Sequence, residues 1–224
     1  RSTWAAPTAF HHVGDFRFIS TGSDYSSAQF QFQLGDLDIE SQSTKGGDFA
    51  FVEIDGAGFT RTVGKPMLPV VRRLVRIPYG AKVTVTAMGD SEVFSLSDFA
   101  AARRIVPVQP PVEKIPGAAE KQPFVIDESA YAQSGACFAK RAELIGTGVM
   151  RGVRYAMIEV RPVDYNPVSG SLIVYPELTV TLNYTGADPE LTLSKYQRYC
   201  DQRTDLIAER LIDNAKSYGT KTNV

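Results

Sequence analysis

Side-chain chemistry needs a nucleophile with a base, or a set of convergent metal ligands, and this 224-residue chain offers few of either. A Cys or Ser nucleophile needs a base, most often His, within hydrogen-bond reach. The histidines are His11 and His12, adjacent in a small, polar N-terminal stretch. Neighbours on an extended chain point to opposite faces, and loose termini concentrate disorder, so the pair reads as exposed polar surface. Cys137 and Cys200 make no CxxC or other metal-ligand spacing and are either one disulfide or two thiols. Cys137, in SGACFAKRA, is the nucleophile candidate to weigh, and it has no base nearby in sequence.

Metal and phosphate chemistry are equally thin. Zinc needs three or four ligands, and neither HExxH nor paired cysteines occur. Asp36, Asp38 and Glu40 share one face of a strand and could attract calcium with help from a loop, but no EF-hand spacing supports this and a solvated face is the better reading. GGDFAFVEIDGAG and TGVMRG fit neither the phosphate loop nor the dinucleotide fingerprint and read as turns. No cofactor is expected. Chance carboxylate pairs can be drawn among 25 acidic residues, and nothing singles one out for glycosidase chemistry.

Charge narrows the partners. With 24 Lys+Arg against 25 Asp+Glu there is no basic stripe for nucleic acid and no global field toward an anionic membrane. No window approaches 18 consecutive apolar residues, and RSTWAAPTAFHH lacks the apolar centre of a secretory signal. The chain therefore reads as soluble, with any targeting peptide already removed. A chain with this texture and no chemical constellation is expected to bind rather than transform.

The elements behind these residues are strands. Phe30, Phe32 and Leu34 alternate with Gln in AQFQFQLGDLDIE, and the alternation resumes out of phase at Leu37 and Ile39, which places a bulge or bend at Gly35. FAFVEI (49–54), LPVVRRLVRIP (68–78) and AKVTVTAM (81–88) follow, with DSEVFSL (90–96) as the expected hairpin partner of the last across Gly89. RYAMIEV precedes VDYNPVSGSLIVY, a hairpin written by Asn166, Pro167 and Gly170, and then ELTVTLNY (177–184). From Leu193 apolar residues at Tyr196, Tyr199, Cys200, Ile207, Leu211 and Ile212 predict an amphipathic helix, N-capped by Ser194 or Thr204 and stopped at Gly219.

This pattern predicts a mainly β protein: an antiparallel β-sandwich, Ig-like or jelly-roll-like, with a long surface loop and a C-terminal helix. The expected organisation is a loosely packed segment 1–27, a sandwich 28–192, a helical segment 193–216 and a linker 217–224. Within the sandwich, 107–142 is the anomaly: its prolines forbid a central strand, and connections longer than about 12–15 residues are usually functional or disordered.

Three stretches together resemble the N-terminal propeptide of gingipain-type cysteine peptidases: GKPMLPV (64–70), IPYGAKVTV (77–85) and RGVRYAMIEVRPVDYNPVSGSLIVYPELTVTL (151–182). The intervening IVPVQPPVEK matches in position and proline content, and about half the chain is covered. Gly64 and Pro66 suit a turn before an edge strand, where Pro69 is tolerated.

The resemblance implies a non-catalytic β-sandwich that accompanies a secreted cysteine peptidase, assists its folding and keeps it latent until cleaved away. The family's catalytic Cys and His would lie beyond Val224. The implied partner is the cognate catalytic domain, with no nucleic acid and no membrane. A steric inhibitor must hold an extended segment in the cleft, and residues 112–142 are the candidate. In Arg- or Lys-selective relatives the primary pocket is acidic, so Lys121, Lys140 and Arg141 are the implied anchors, Arg141 preferred for its bidentate fork. In the polar stretch AKSYGTKTNV, Lys216 and Lys221 are the candidate cleavage points. Two other readings compete: an accessory β-domain of a related secretion-system peptidase, retained after processing, and an adhesion or carbohydrate-binding sandwich with a row of exposed aromatics.

Overall fold

The computed structural model describes residues 16–100 and 102–218. Its strands are, in chain order, β1 (Arg17–Ser23), β2 (Ser27–Gln33), β3 (Leu37–Thr44), β4 (Gly47–Ile54), β5 (Gly58–Phe59), β6 (Pro69–Arg76), β7 (Lys82–Met88) and β8 (Glu92–Ser95). Two short helices, α1 (Ala118–Lys121) and α2 (Glu128–Tyr131), interrupt the long connection. Then come β9 (Ala142–Met150), β10 (Val153–Val160), β11 (Val163–Asn166), β12 (Ser171–Val174), β13 (Glu177–Thr185), α3 (Pro189–Tyr199) and α4 (Gln202–Leu211).

Period-two alternation decides which face of each strand is buried. In β2 the residues Ala28, Phe30 and Phe32 are fully buried while Gln29, Gln31 and Gln33 face outward. They meet Leu182, Val180 and Leu178 of β13 directly across the ladder, so both strands turn the same apolar face inward. Burying each phenylalanine contributes about 1.5–3 kcal/mol before entropy is charged against it.

The pairings between these strands are antiparallel. They build sheets in the orders β1-β2-β13-β7, β5-β6-β10-β9 and β11-β12-β8, plus the β3-β4 hairpin. One core joins all four, from Phe30 and Val180 through Ile39 and Val52 to Val75, Ile158, Tyr165 and Leu172. The protein is thus mainly β with C-terminal helices, the predicted class.

Several local expectations change. Residues 17–23, assigned to a loosely packed segment, form β1, an edge strand mostly exposed but paired to β2 at every residue except Thr21, where the register shifts between Ser20 and Gly22. β8 does not pair with β7: β7 closes on β13 and β8 on β12, because the buried faces belong to different sheets. β6 is not an edge, since β5 and β10 flank it; Pro69 is accepted as its first residue, where a missing donor costs least. Gly35 lies between β2 and β3 where the chain leaves one sheet for another.

The predicted C-terminal helix is two. Asp188 caps α3 through Leu191 N–H at 2.8 Å, with Pro189 in the first turn, and Asp201 caps α4 through Thr204 N–H at 2.7 Å. Ser194 and Thr204 are therefore not the caps; Cys200 and Asp201 are extended, and the second aspartate starts a new helix there. The helices pack Tyr196, Cys200, Ala208 and Ile212 against Leu74, Val153 and Tyr155 on the outer face of the β6-β10 sheet. Gly219 lies outside the described residues.

Candidate functional site

The long connection is neither a strand nor a free loop. Its first residues run between two parts of the sandwich: Ala50 N–H donates to Arg104 O at 2.8 Å, and Val106 N–H to Ala50 O at 2.9 Å. On the other side Met67 N–H donates to Val106 O and Val108 N–H to Lys65 O, both at 2.9 Å. Ile105 is fully buried by this.

Gln109 then makes a neck. Its side-chain amide donates to Val125 O at 2.8 Å and accepts from Val125 N–H at 2.9 Å, imitating a backbone pair across 16 residues. Gln122 Nε2 adds a bond to Pro110 O at 2.7 Å, and Lys45 Nζ, from the β3–β4 turn, reaches Gln122 O at 3.2 Å. Phe124 packs at a tilt against Phe49, ring centres 5.5 Å apart, and covers Gly46 so closely that a Cβ there would lie 2.2 Å from the ring. Every residue from 111 to 117 is exposed, including Val112, Lys114 and Ile115. The excursion is a compact surface loop with a rigid base and a solvent-facing tip. A largely apolar groove of about 440 Å³ runs beneath it, lined by Met67, Val106, Val108, Val112, Pro123 and Phe124.

Past the neck the chain is anchored again. Asp127 caps α2 by accepting from Ser129 and Ala130 N–H, and the Ser129 hydroxyl followed by these amides holds its carboxyl below the ordinary range. Tyr131 donates its hydroxyl to Ile105 O at 2.6 Å, and Arg104 lies 4.4 Å over its ring.

The expected anchors are placed very differently. Lys121 ends α1 on the tip side and is exposed; Lys140 is exposed just before β9. Arg141 turns inward and pairs with the fully buried Asp164 at 2.7 Å, its guanidinium 5.1 Å over Tyr175. Arg141 is therefore committed to the sandwich, a correction that its sequence neighbourhood could not supply because Asp164 lies 23 positions on. Lys114, not among the expected anchors, is exposed in the tip, between the breaks Pro110-Pro111 and Pro116-Gly117. Lys216 sits in a turn, side chain 74% exposed and 3.7 Å from Glu209. Lys221, His11 and His12 lie outside the described residues.

Cys137 and Cys200 are not joined in a disulfide. Burial, and then the nearby Asp164 charge, push the Cys137 thiol up to about 12, the opposite of what a nucleophile needs. Cys200 is buried and donates to Arg151 O at 3.0 Å. Among the described residues no three His, Cys, Asp or Glu side chains are grouped to hold a metal, Asp36, Asp38 and Glu40 included.

The model of the C25 peptidase propeptide family (Propeptide_C25) matches residues 8–207. The chain belongs to this family. It is a propeptide domain of the gingipain type, a non-catalytic one. Lys-gingipain of Porphyromonas gingivalis is 33% identical over 181 residues, 80% of this chain but 10% of the relative, so the chain spans about a tenth of the curated relatives it matches. Lys-gingipain W83 of the same organism aligns equally well. A solved structure addressing the zymogenic latency of gingipain K from P. gingivalis superimposes with TM-score 0.64 at 30% identity, covering 79% of this chain and 96% of that one. A complex of the P. gingivalis RgpB pro- and mature domains superimposes with TM-score 0.71 at 17% identity, covering 89% and 98%, a likeness of fold. No helix among the described residues is long and apolar enough to cross a membrane.

Proposed function

We propose that this C25 propeptide binds the peptidase domain of its own secreted precursor, assists its folding and keeps it latent by laying the 111–117 tip across the substrate cleft. One observation carries the reading: the tip is wholly exposed while its base is fixed by the Gln109–Val125 and Gln122–Pro110 bonds. A segment already held in place loses little entropy on binding, which is what a competing inhibitor needs. The gingipain K relative, whose solved structure concerns zymogenic latency, supports the same reading.

Within the tip Lys114 is the anchor we favour, ahead of Lys121 and Lys140, because it stands at the centre of the exposed tip. A charge-assisted hydrogen bond to an acidic pocket contributes about 1.5–3 kcal/mol, so Lys114→Ala should weaken inhibition of the cognate catalytic domain roughly 10- to 150-fold. Lys121→Ala and Lys140→Ala serve as comparisons; unchanged inhibition by all three variants would remove the basic-anchor mechanism. An adhesion or carbohydrate-binding role has little support, since among the described aromatic residues Tyr199 is the one in the exposed class, where a binding platform needs a row.

A further inference from the structure

Beyond α4 the chain stays on the domain. Ile212 forms a parallel bridge with Leu74 of β6, and Asp213 N–H donates to Leu74 O at 3.1 Å. Asn214, 5% exposed, accepts from Arg76 N–H at 2.6 Å and donates to Arg76 O at 3.0 Å, continuing the ladder with a side-chain amide. The same amide reaches Ser23 Oγ of β1 at 3.2 Å. Arg73 clasps Asp213, Nε at 2.9 Å from its carboxylate.

The next residues are held from both sides. Arg76, 2% exposed, donates Nη1 to Ala215 O at 2.7 Å and lies 4.7 Å over Tyr196 and 5.7 Å over Tyr218. Ser217 N–H donates to Asn214 O at 2.9 Å, closing a turn at Lys216. Tyr218 is buried in left-handed backbone, φ 67°, its hydroxyl 3.1 Å from Ser23 Oγ and its ring 5.0 Å from Tyr25. A non-glycine residue keeps that conformation only where its surroundings impose it. The polar linker expected from residue 217 thus starts with an anchored tyrosine.

The side chain of Lys216 projects into solvent, yet its scissile bond lies between two anchors. A peptidase cleft binds several residues on either side of the bond as an extended strand, through their backbone groups. Ala215 O and Ser217 N–H are already engaged, and straightening the turn would pull Tyr218 out of its site.

We propose that Ile212–Tyr218 is a strap that withholds the Lys216–Ser217 bond from proteolysis while the domain is folded, so that Lys-directed processing is displaced beyond Tyr218 and the strap leaves with the released propeptide. Because the strap touches Ser23 in one four-stranded sheet and Leu74–Arg76 in the other, it closes only when both are assembled. A misfolded domain would expose the bond. The proposal is independent of how the loop tip inhibits.

Lys-specific endopeptidase digestion of the full chain, followed by mass spectrometry, tests it. Cleavage after Lys216 should be about a hundredfold or more slower in the folded chain than in urea-unfolded chain, because cleavage of a native protein follows the population of the opened state. Asn214→Ala and Tyr218→Ala should each open Lys216 while the Lys82–Val83 bond in β7 stays protected. If a variant opens Lys82 as well it has unfolded, and the milder Asp213→Asn is read in its place. Rapid cleavage after Lys216 in the folded wild type would overturn the strap. So would continued protection of Lys216 in all three variants.

Discussion

Asp164 is one carboxylate with four partners. It accepts Cys137 N–H at 2.8 Å, Tyr165 N–H at 2.7 Å and a longer bond from Phe138 N–H, it pairs with Arg141, and by doing so it fastens the end of the long loop to β11. Removing one partner of a buried pair leaves the other charge unsatisfied, so Asp164→Ala should lower unfolding stability by about 3–5 kcal/mol in denaturant titration. Replacing both, Asp164→Leu with Arg141→Met, should cost less than Asp164→Ala alone. The same environment governs Cys137. With its thiol raised to about 12, alkylation at pH 8 should run about two orders of magnitude or more below that of an ordinary cysteine, although the residue is surface-exposed. Rapid labelling of the native protein by iodoacetamide would contradict this.

The β3–β4 hairpin and the long loop act as one element. Lys45 holds Gln122, and Phe124 occupies the space above Gly46 that any side chain would need. Gly46→Ala should therefore push Phe124 aside and loosen the loop at a cost of about 1–3 kcal/mol, seen as faster hydrogen exchange at Val125 with the β2–β13 amides unchanged. Inhibition should weaken in the same variant even though Lys114 is intact. The β11–β12 hairpin behaves otherwise, as scaffold: Gly170 takes φ 67° in its turn, and Leu172 and Val174 are buried. Gly170→Ala should cost about 1 kcal/mol, without altering inhibition by the residual folded protein.

At the scale of the molecule, a single core runs through all four sheets, so no sheet has an independent reason to persist when another melts. Unfolding in urea is expected as one transition, with far-ultraviolet and near-ultraviolet circular dichroism superimposable. Separate midpoints would show that the α3–α4 layer, which has its own small cluster around Tyr196 and Cys200, melts first. That outcome would also release the strap before the sandwich.

Sequence by itself determined the strand-rich class, most strand positions and the scaffold hairpin, because alternation and turn residues act within a few positions of one another, and the family through the resemblance carried by residues 64–70, 77–85 and 151–182. Phe30 and Phe32 announce their buried face in seven residues, and Gly170 announces its turn in four. It also showed that the proline-rich connection was unusual. What it left open were the pairings and commitments that depend on residues far apart. β8 looked like the partner of β7, since nearness in sequence was the only guide, and the shared core sent each to another sheet. Arg141 reads as a better anchor than Lys140, yet Asp164 draws it inward, and the polar AKSY reads as a linker, yet Arg76, Asn214 and Tyr218 meet on it. Local pattern sets which backbone conformation is favoured; which of several exposed-looking side chains is spent on holding the fold is decided only when the sheets close and take particular groups out of water.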